Sequence, residues 1–150
     1  MDCAERLLPA TGVSCVVVDD HEELLGALTA TLEGAGHTVV GVASTGEAAL
    51  RLIDFAQPLV AVLDLELPDM TGIALGGRAS WVSPRTSFLL HSARLDGPTV
   101  ADAFAVGIRG VVLKDTPTRI VEAIATVLDG DVYVDPVLAP AVRRYANGSP

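Results

Sequence analysis

The stretch LVAVLD at residues 59–64 decides the fold, because five consecutive apolar residues end abruptly in an aspartate. Continuous rather than alternating apolar character is typical of a strand buried on both faces of a parallel sheet. Four further runs have the same character: Ser14–Val18, Thr38–Val42, Ser87–Leu90 and Val111–Leu113. Together with Leu59–Leu63 they predict five short buried strands.

Helix-length segments separate these runs. Leu25, Leu28 and Leu32 form one apolar stripe in His21–Leu32. Ser44 and Glu47 have the spacing of a capping box before a second helix. Later helices are predicted over Thr71–Val82, Pro98–Val106 and, from a Thr116-Pro117 start, to about Val127. Strand and helix alternate five times, so we predict an α/β fold, a doubly wound parallel sheet with helices on both faces.

Length and composition limit the class of protein. The 150 residues suit one domain, and half of them are apolar. Ten Lys and Arg against 19 Asp and Glu give a net charge of −9, which disfavours nucleic-acid binding by this domain alone. The charge-free stretches are too short to span a bilayer, and no signal peptide is evident. We therefore expect no membrane contact and a cytoplasmic location.

The chain divides into three parts. Residues 1–12 form an N-terminal arm, and residues 13–130 form the predicted domain. Residues 131–150 lack a sixth strand–helix unit in this interpretation, so we expect a short extension or linker that frays. Cys3 and Cys15 make no disulfide framework, and Cys15 is predicted to be a small core residue.

Polar residues follow four of the predicted strands. Asp19 and Asp20 follow the first strand, Asp64 the third, Ser92 the fourth and Lys114 the fifth. The carboxyl ends of parallel strands meet at one edge, where such sheets bind ligands. The sequence thus predicts a cluster of three carboxylates, one hydroxyl and one ammonium group.

This set of groups suits metal-assisted phosphoryl chemistry. Neighbouring carboxylates repel one another, and Mg²⁺, which prefers oxygen ligands, relieves that repulsion. An aspartate beside such a cation can become an aspartyl phosphate, which Lys114 and Ser92 can bind. Taken singly, each residue has a plainer explanation: Asp20 as a helix cap, Asp19 and Asp64 as solvated or structural groups, and Lys114 as a surface lysine.

Four motifs resemble the response-regulator receiver domain (CheY-like) of two-component signalling: VVVDDH at 16–21, VLDLELPDMTG at 62–72, LLHSA at 89–93 and GVVLKD at 110–115. AVGIRG at 105–110 and GDVYVDP at 130–136 are similar to the NarL/FixJ subfamily, whose receivers precede a LuxR-type helix-turn-helix domain. The resemblance implies a flavodoxin-like (βα)5 three-layer sandwich with a five-stranded sheet in the order 2-1-3-4-5.

The resemblance also implies a role for each matching residue. Asp64 would accept a phosphoryl group from a sensor histidine kinase, and Ser92 and Lys114 would bind it. The Val100–Gly110 surface would change on phosphorylation and act on a homodimer partner or on a C-terminal DNA-binding domain, controlling transcription. Mg²⁺ would be held by Asp19, Asp20, Asp64 and the backbone carbonyl of Glu66.

Some positions depart from the family's pattern. Val111 stands where members often have a switch aromatic. Glu66 and Arg94 would flank the phosphoryl group; they either pair and slow attack by water or remain two independent solvated side chains. His21, His37 and His91 do not form a metal set, and only His91 is expected near the site. Trp81 and Phe104 are predicted to pack rather than to bind a partner.

Two other functions remain open from the sequence. Asp64-Leu65-Glu66 loosely resembles the D-x-D motif of haloacid-dehalogenase-type Mg²⁺-dependent phosphohydrolases, although Glu66 replaces the second Asp and no segment is left for a cap. The same fold also serves as a non-phosphorylated interaction module. The receiver reading predicts a signalling domain and not an enzyme, although self-phosphorylation from small phosphodonors is expected.

Overall fold

The computed structural model describes residues 12–115 and 118–148, in which strands and helices alternate along the chain. The strands are β1 (Ser14–Val18), β2 (Thr38–Ala43), β3 (Val60–Asp64), β4 (Ser87–Ser92), β5 (Gly110–Leu113) and β6 (Tyr133–Val134). The helices are α1 (Glu22–Gly34), α2 (Gly46–Ala56), α3 (Gly72–Val82), α4 (Gly97–Ala105), α5 (Arg119–Leu128) and α6 (Ala139–Ala146).

The sheet is parallel throughout, in the order β2-β1-β3-β4-β5-β6. This confirms the α/β fold class and the predicted order of the first five strands. The predicted count of five strands is wrong by one, since Gly110 and Val111 of β5 pair with Tyr133 and Val134 of β6. A strand of two residues is too short to stand out as an apolar run.

The prediction that residues 131–150 contain no further strand–helix unit is therefore also wrong. Leu138 is buried in the core, and Val142 of α6 packs against the same cluster. Gly97, the first residue of α4, lies so close to α6 that a Cβ there would meet Tyr145. Helix α6 thus lies against α4. The arm at residues 1–11, with Cys3, lies outside the described residues.

The core consists of one apolar cluster on each face of the sheet. Helices α2, α3 and α4 contribute to one cluster, and α1 and α5 contribute to the other. Cys15 is fully buried, as predicted, and burial raises the pKa of its thiol to about 11. Strand β2 was expected to be buried on both faces, but Val40 and Val42 are exposed because β2 is an edge strand.

Side-chain caps define the starts of two helices near the sheet's carboxyl edge. Thr71 accepts a hydrogen bond from the Ala74 N–H at 3.1 Å and caps α3 where the sequence predicted its start. Helix α2 is capped by Thr45, which accepts from the Ala48 N–H at 3.2 Å, and not by the predicted Ser44. The Thr116-Pro117 start predicted for the fifth helix lies outside the described residues.

The two aromatic residues predicted to pack behave differently. Phe104 packs against the core cluster, but Trp81 is 88% exposed, so its predicted packing role is wrong. Trp81 is the penultimate residue of α3 and lies on the exposed face of that helix, with Ala74 and Arg78. Among the described residues no helix is both long and apolar enough to cross a membrane.

Candidate functional site

The predicted polar residues meet at the carboxyl edge of the sheet. Strand register pairs Val18 with Leu63, Asp64 with His91, and Ser92 with Leu113, so the residues that follow these strands lie at one level. An open cleft of about 660 Å³ occupies this edge. Six of the predicted site residues line it: Asp20, Asp64, Glu66, Ser92, Arg94 and Lys114.

Lys114 connects two of the carboxylates. Its Nζ lies 2.7 Å from Asp19 Oδ2 and 3.1 Å from Asp64 Oδ1, and its side chain is only 13% exposed. Its backbone N–H donates to the Ser92 carbonyl at 3.0 Å, which extends the β4–β5 pairing beyond the last residue of β5. The plainer explanation of Lys114 as a surface lysine therefore does not hold.

Asp19 lies behind the cleft and is 3% exposed. Burial opposes its ionisation, but hydrogen bonds from Lys114 and from the His21 backbone outweigh burial, so the pKa of Asp19 falls below its ordinary value. It is consequently a buried, ionised group. It is neither solvated nor a simple flank to a helix cap.

The pKa values of Asp64 and Lys114 are both raised, which suits a reactive carboxylate beside a charged ammonium group. Burial, assisted by the charge of Asp19, raises the pKa of Asp64 despite the opposing attraction of Lys114. For Lys114, burial acts to lower the pKa, but Asp19 and Asp64 together raise it above the ordinary value. The ammonium group therefore stays charged beside a carboxylate that is desolvated and only partly compensated.

His21 is a site residue that the sequence interpretation missed. Its Nδ1 lies 3.1 Å from Asp19 Oδ1 and 3.0 Å from Asp20 Oδ1, and its backbone N–H donates to Asp19 at 2.9 Å. The prediction that only His91 lies near the site is therefore wrong. The available signal was position, because a residue directly after Asp19-Asp20 must lie at the same sheet edge.

The donor groups at this edge suit a hard divalent cation. Asp19, Asp20, His21 and Asp64 each offer a ligand atom, and these atoms all lie within 4.8 Å of one another. Three of the four donors are carboxylates, and Mg²⁺ prefers oxygen ligands while taking one or two carboxylates directly. The residues present fit Mg²⁺, with Asp20 open to the cleft and Asp19 already bonded to Lys114 and His21.

The opposite side of the cleft is formed by Ser92, Ala93 and Arg94. The Ser92 hydroxyl donates to the Arg94 carbonyl at 3.0 Å, so in this state it bonds to backbone. Glu66 and Arg94 both line the cleft, but the ion pairs found in the described parts of the chain include none between them.

The loop after Asp64 is held by backbone contacts. The Gly72 N–H donates to the Leu65 carbonyl at 2.6 Å, and a Cβ at Gly72 would collide with the Asp64 carbonyl oxygen. Asp69 accepts from the backbone N–H groups of Gly46 and Glu47, which ties the loop to the start of α2. These bonds lower the pKa of Asp69. The loop that presents Asp64 is consequently well defined.

Two buried residues belong to the strands that end at the cleft. His91 has a buried Nε2 that finds no hydrogen-bond partner in the described structure, and burial, with the charge of Lys114, lowers its pKa to about 4. It is therefore a neutral residue of strand β4. Val111 is fully buried in the core cluster, and its short side chain has no equivalent of an aromatic swing.

Comparison with known proteins shows the family to which the chain is similar. The family model described as response regulator receiver domain matches residues 15–125. The chain is 40% identical over 100 residues to the transcriptional regulatory protein KdpE of Mycobacterium tuberculosis, covering 66% of this chain and 43% of that protein. It is 37% identical over 128 residues to the probable transcriptional regulatory protein NarL of the same species, covering 84% and 59%.

Solved structures give the same result. A LuxR-family two-component response regulator from Aurantimonas sp. superposes with a TM-score of 0.86 at 26% identity, covering 90% of this chain and 98% of that one. The signal receiver domain of the putative response regulator NarL from M. tuberculosis gives 0.75 at 36% identity, covering 79% and 98%.

The chain spans about half the length of the curated regulators that it matches. Its match to the receiver family extends over most of its own length, and its sheet has the predicted order in the first five strands. The chain therefore belongs to the response regulator receiver domain family of two-component systems.

Proposed function

We propose that the chain is a phosphoacceptor domain in which Asp64 takes a phosphoryl group from a sensor histidine kinase in a Mg²⁺-dependent reaction. The observation that supports this most is the position of Lys114, whose ammonium group contacts Asp64 at 3.1 Å and the buried Asp19 at 2.7 Å. A cation in that place stabilises the negative charge of a phosphoryl group that becomes attached to Asp64.

In the proposed transfer, an Asp64 carboxylate oxygen forms a bond to phosphorus while the bond between phosphorus and the donor breaks. The electron pair of the broken bond leaves with the donor, as imidazole nitrogen from a phosphohistidine or as acetate from acetyl phosphate. Asp64 is poised for attack because it is desolvated and reaches the open cleft. Asp20, Asp64, the backbone carbonyl of Glu66 and, directly or through water, Asp19 would hold Mg²⁺, which would supply positive charge to the phosphoryl oxygens.

The new phosphoryl group adds up to about two negative charges next to Lys114 and Ser92. We expect the Ser92 hydroxyl to exchange its bond to the Arg94 carbonyl for one to the phosphoryl oxygen. Both residues lie at the ends of β4 and β5, next to the Val100–Gly110 surface. Helix α4 and strand β5 are therefore the proposed bistable element.

The proposed output is transcriptional. The relatives that the chain matches over about half of their length are regulators of transcription. In this proposal the phosphorylated α4–β5 surface alters homodimerisation or contact with a DNA-binding domain in a cytoplasmic regulator. The domain's own charge of −9 makes direct binding to nucleic acid unfavourable.

Glu66 and Arg94 are proposed to modulate the lifetime of the phosphoryl group from the two sides of the cleft. Replacing both with Ala should change the rate at which phosphorylated Asp64 loses phosphate. An unchanged lifetime would exclude this role.

Incubation with acetyl phosphate and Mg²⁺, followed by intact-mass measurement, tests the proposed function. We expect one added phosphoryl group in the wild type and none in Asp64→Asn. Repeated turnover of a generic phosphate ester would favour the phosphohydrolase alternative instead. No adduct from either acetyl phosphate or a kinase would favour a non-phosphorylated interaction module.

A further inference from the structure

Asp135 is a fully buried carboxylate that lies outside the cleft and beyond the residues matched by the family model. Its Oδ1 lies 2.8 Å from Arg119 Nη1 and accepts the Val137 N–H at 3.0 Å. Its Oδ2 accepts the Leu113 N–H at 3.0 Å. Both oxygens are therefore bonded.

A buried carboxylate is expensive unless it is paired, so its partners indicate what it holds in place. The partners of Asp135 come from three different elements: the end of β5, the first residue of α5, and the turn before α6. The Asp135 backbone N–H adds a bond to the Val111 carbonyl at 2.9 Å. Asp135 thus joins the C-terminal segment to the strand that ends at the cleft.

The bond to Leu113 acts directly on the cleft, because the next residue is Lys114. Pairing with β4 holds this strand end on one side, through the Lys114 N–H and the Ser92 carbonyl. Asp135 holds it on the other side, where β6 has already ended at Val134. The backbone directly before Lys114 is therefore bonded to the side chain of Asp135.

Asp135 also leads to α6. Its backbone carbonyl accepts the Leu138 N–H at 2.8 Å, and Leu138 directly precedes that helix. Helix α6 lies against α4, with Tyr145 next to Gly97. One short series of contacts thus connects the cleft to α6, which covers part of the proposed output helix.

We propose that Asp135 is a positioning residue for Lys114 and that it couples the phosphoryl site to the docking of α6 on α4. This inference rests on the proposed function, because it takes Lys114 to bind the phosphoryl group. Loss of the Asp135 bond lets the end of β5 and Lys114 shift, which weakens binding of the phosphoryl group. By reciprocity, occupation of the cleft changes the stability of α6 against α4.

Titration with beryllofluoride and Mg²⁺, followed by amide chemical shifts, tests the inference. Beryllofluoride imitates the phosphoryl group on Asp64 without a covalent reaction. We expect Asp135→Asn, which keeps the shape of the side chain, to weaken beryllofluoride binding by about five-fold or more. Asp131→Asn removes an exposed carboxylate from the same segment and should bind like the wild type.

The second readout is the hydrogen exchange of α6. If Asp135 had only a structural role, the response of this helix to beryllofluoride would not depend on it. In the wild type, beryllofluoride should change the hydrogen-exchange rates of the Ala139–Ala146 amides, and in Asp135→Asn this response should be lost. Tyr145→Ala, a change at an exposed residue that does not line the cleft, should alter beryllofluoride affinity even if Asp135→Asn does not fold. Arg144→Ala, on the exposed face of the same helix, is its matched control.

Equal beryllofluoride affinity in the wild type, Asp135→Asn and Tyr145→Ala would overturn the inference, as would α6 amides that do not respond in the wild type. Either result leaves the proposed function intact, because the wild type still binds. Failure of the proposed function is different: the wild type itself neither binds beryllofluoride nor accepts phosphate, and the inference is overturned with it.

Discussion

Replacing Lys114 with Met should destabilise the protein strongly at neutral pH. The substitution keeps the length and apolar stem of the side chain but removes the ammonium group that contacts Asp19 at 2.7 Å and Asp64 at 3.1 Å. Two buried carboxylates then face each other without the cation that lay between them. The unfolded chain does not bear this cost, because its aspartates are separated and solvated.

The size of the effect follows from the separation of the carboxylates. Their ligand oxygens lie within 4.8 Å, which at an effective dielectric constant of 20 corresponds to about 3.5 kcal/mol of repulsion. Breaking a buried ion pair by removing one partner costs about 3–5 kcal/mol in other proteins. We therefore expect Lys114→Met to lower the free energy of unfolding by about 3 kcal/mol at pH 7.

The loss should depend on pH with a definite sign. Without Lys114, at least one of the two carboxylates has a folded-state pKa raised above its unfolded value. Such a group favours the folded state below the unfolded pKa, and the benefit is lost as pH rises through the folded pKa. The deficit of Lys114→Met against the wild type should therefore be small near pH 4 and largest at pH 7.

Urea unfolding followed by circular dichroism at several pH values measures these differences. Arg85→Met, which removes an exposed cation, is the matched control and should cost little at any pH. In an Asp64→Asn background, Lys114→Met should cost much less, because one carboxylate is already neutral. A cost below about 1 kcal/mol at pH 7, or a cost that does not change with pH, would refute the electrostatic account of the site.

Three further predictions concern single residues. Asp64→Asn removes a desolvated carboxylate whose pKa is raised; we expect the melting temperature at pH 7 to rise by about 2–4 °C, and a fall would contradict this. His91 is held neutral with a pKa of about 4, against 6.5 when unfolded. Its neutral form thus stabilises the folded state fully above pH 6.5, and this stabilisation is lost as pH falls toward 4. In His91→Leu the free energy of unfolding should therefore fall by about 3 kcal/mol less over that range than in the wild type. Unchanged pH profiles of unfolding would count against this. Gly72→Ala places a Cβ against the Asp64 carbonyl. It should lower the free energy of unfolding by about 1–3 kcal/mol, measured by urea unfolding, and slow phosphorylation of Asp64, measured by intact mass. Values close to those of the wild type would show that the loop adapts.

The main strands and the site could be predicted because their signals are local and strong. The central strands are buried on both faces, so each is a continuous apolar run with a polar residue after it. Parallel topology then brings Asp64, Ser92 and Lys114 to one edge without further information. The same rule predicted Asp19 and Asp20, and it would have predicted His21 had it been applied one residue further.

The missed features depend on tertiary context. Strand β6 has only two residues. It forms because Gly110 and Val111 lie on the open edge of β5, where Tyr133 and Val134 can pair with them. The fully buried Asp135 has partners 16 and 22 residues away, which no local pattern reveals. Thr45 rather than Ser44 caps α2. Which of two adjacent residues becomes the N-cap depends on the backbone geometry, which a sequence does not specify to within one residue. Trp81 is exposed because it lies on the outer face of α3, opposite the buried Leu75 and Ala79.

The most direct test of the central claim is to identify chemically which residue carries the phosphoryl group. An aspartyl phosphate is reduced by borohydride to homoserine, which peptide mass spectrometry locates in the sequence. After incubation with acetyl phosphate and Mg²⁺, we expect homoserine at position 64 only, and none when Mg²⁺ is withheld. Reduction at Asp19 or Asp20 instead, or at no residue, would contradict the account of Asp64 as the phosphoryl acceptor.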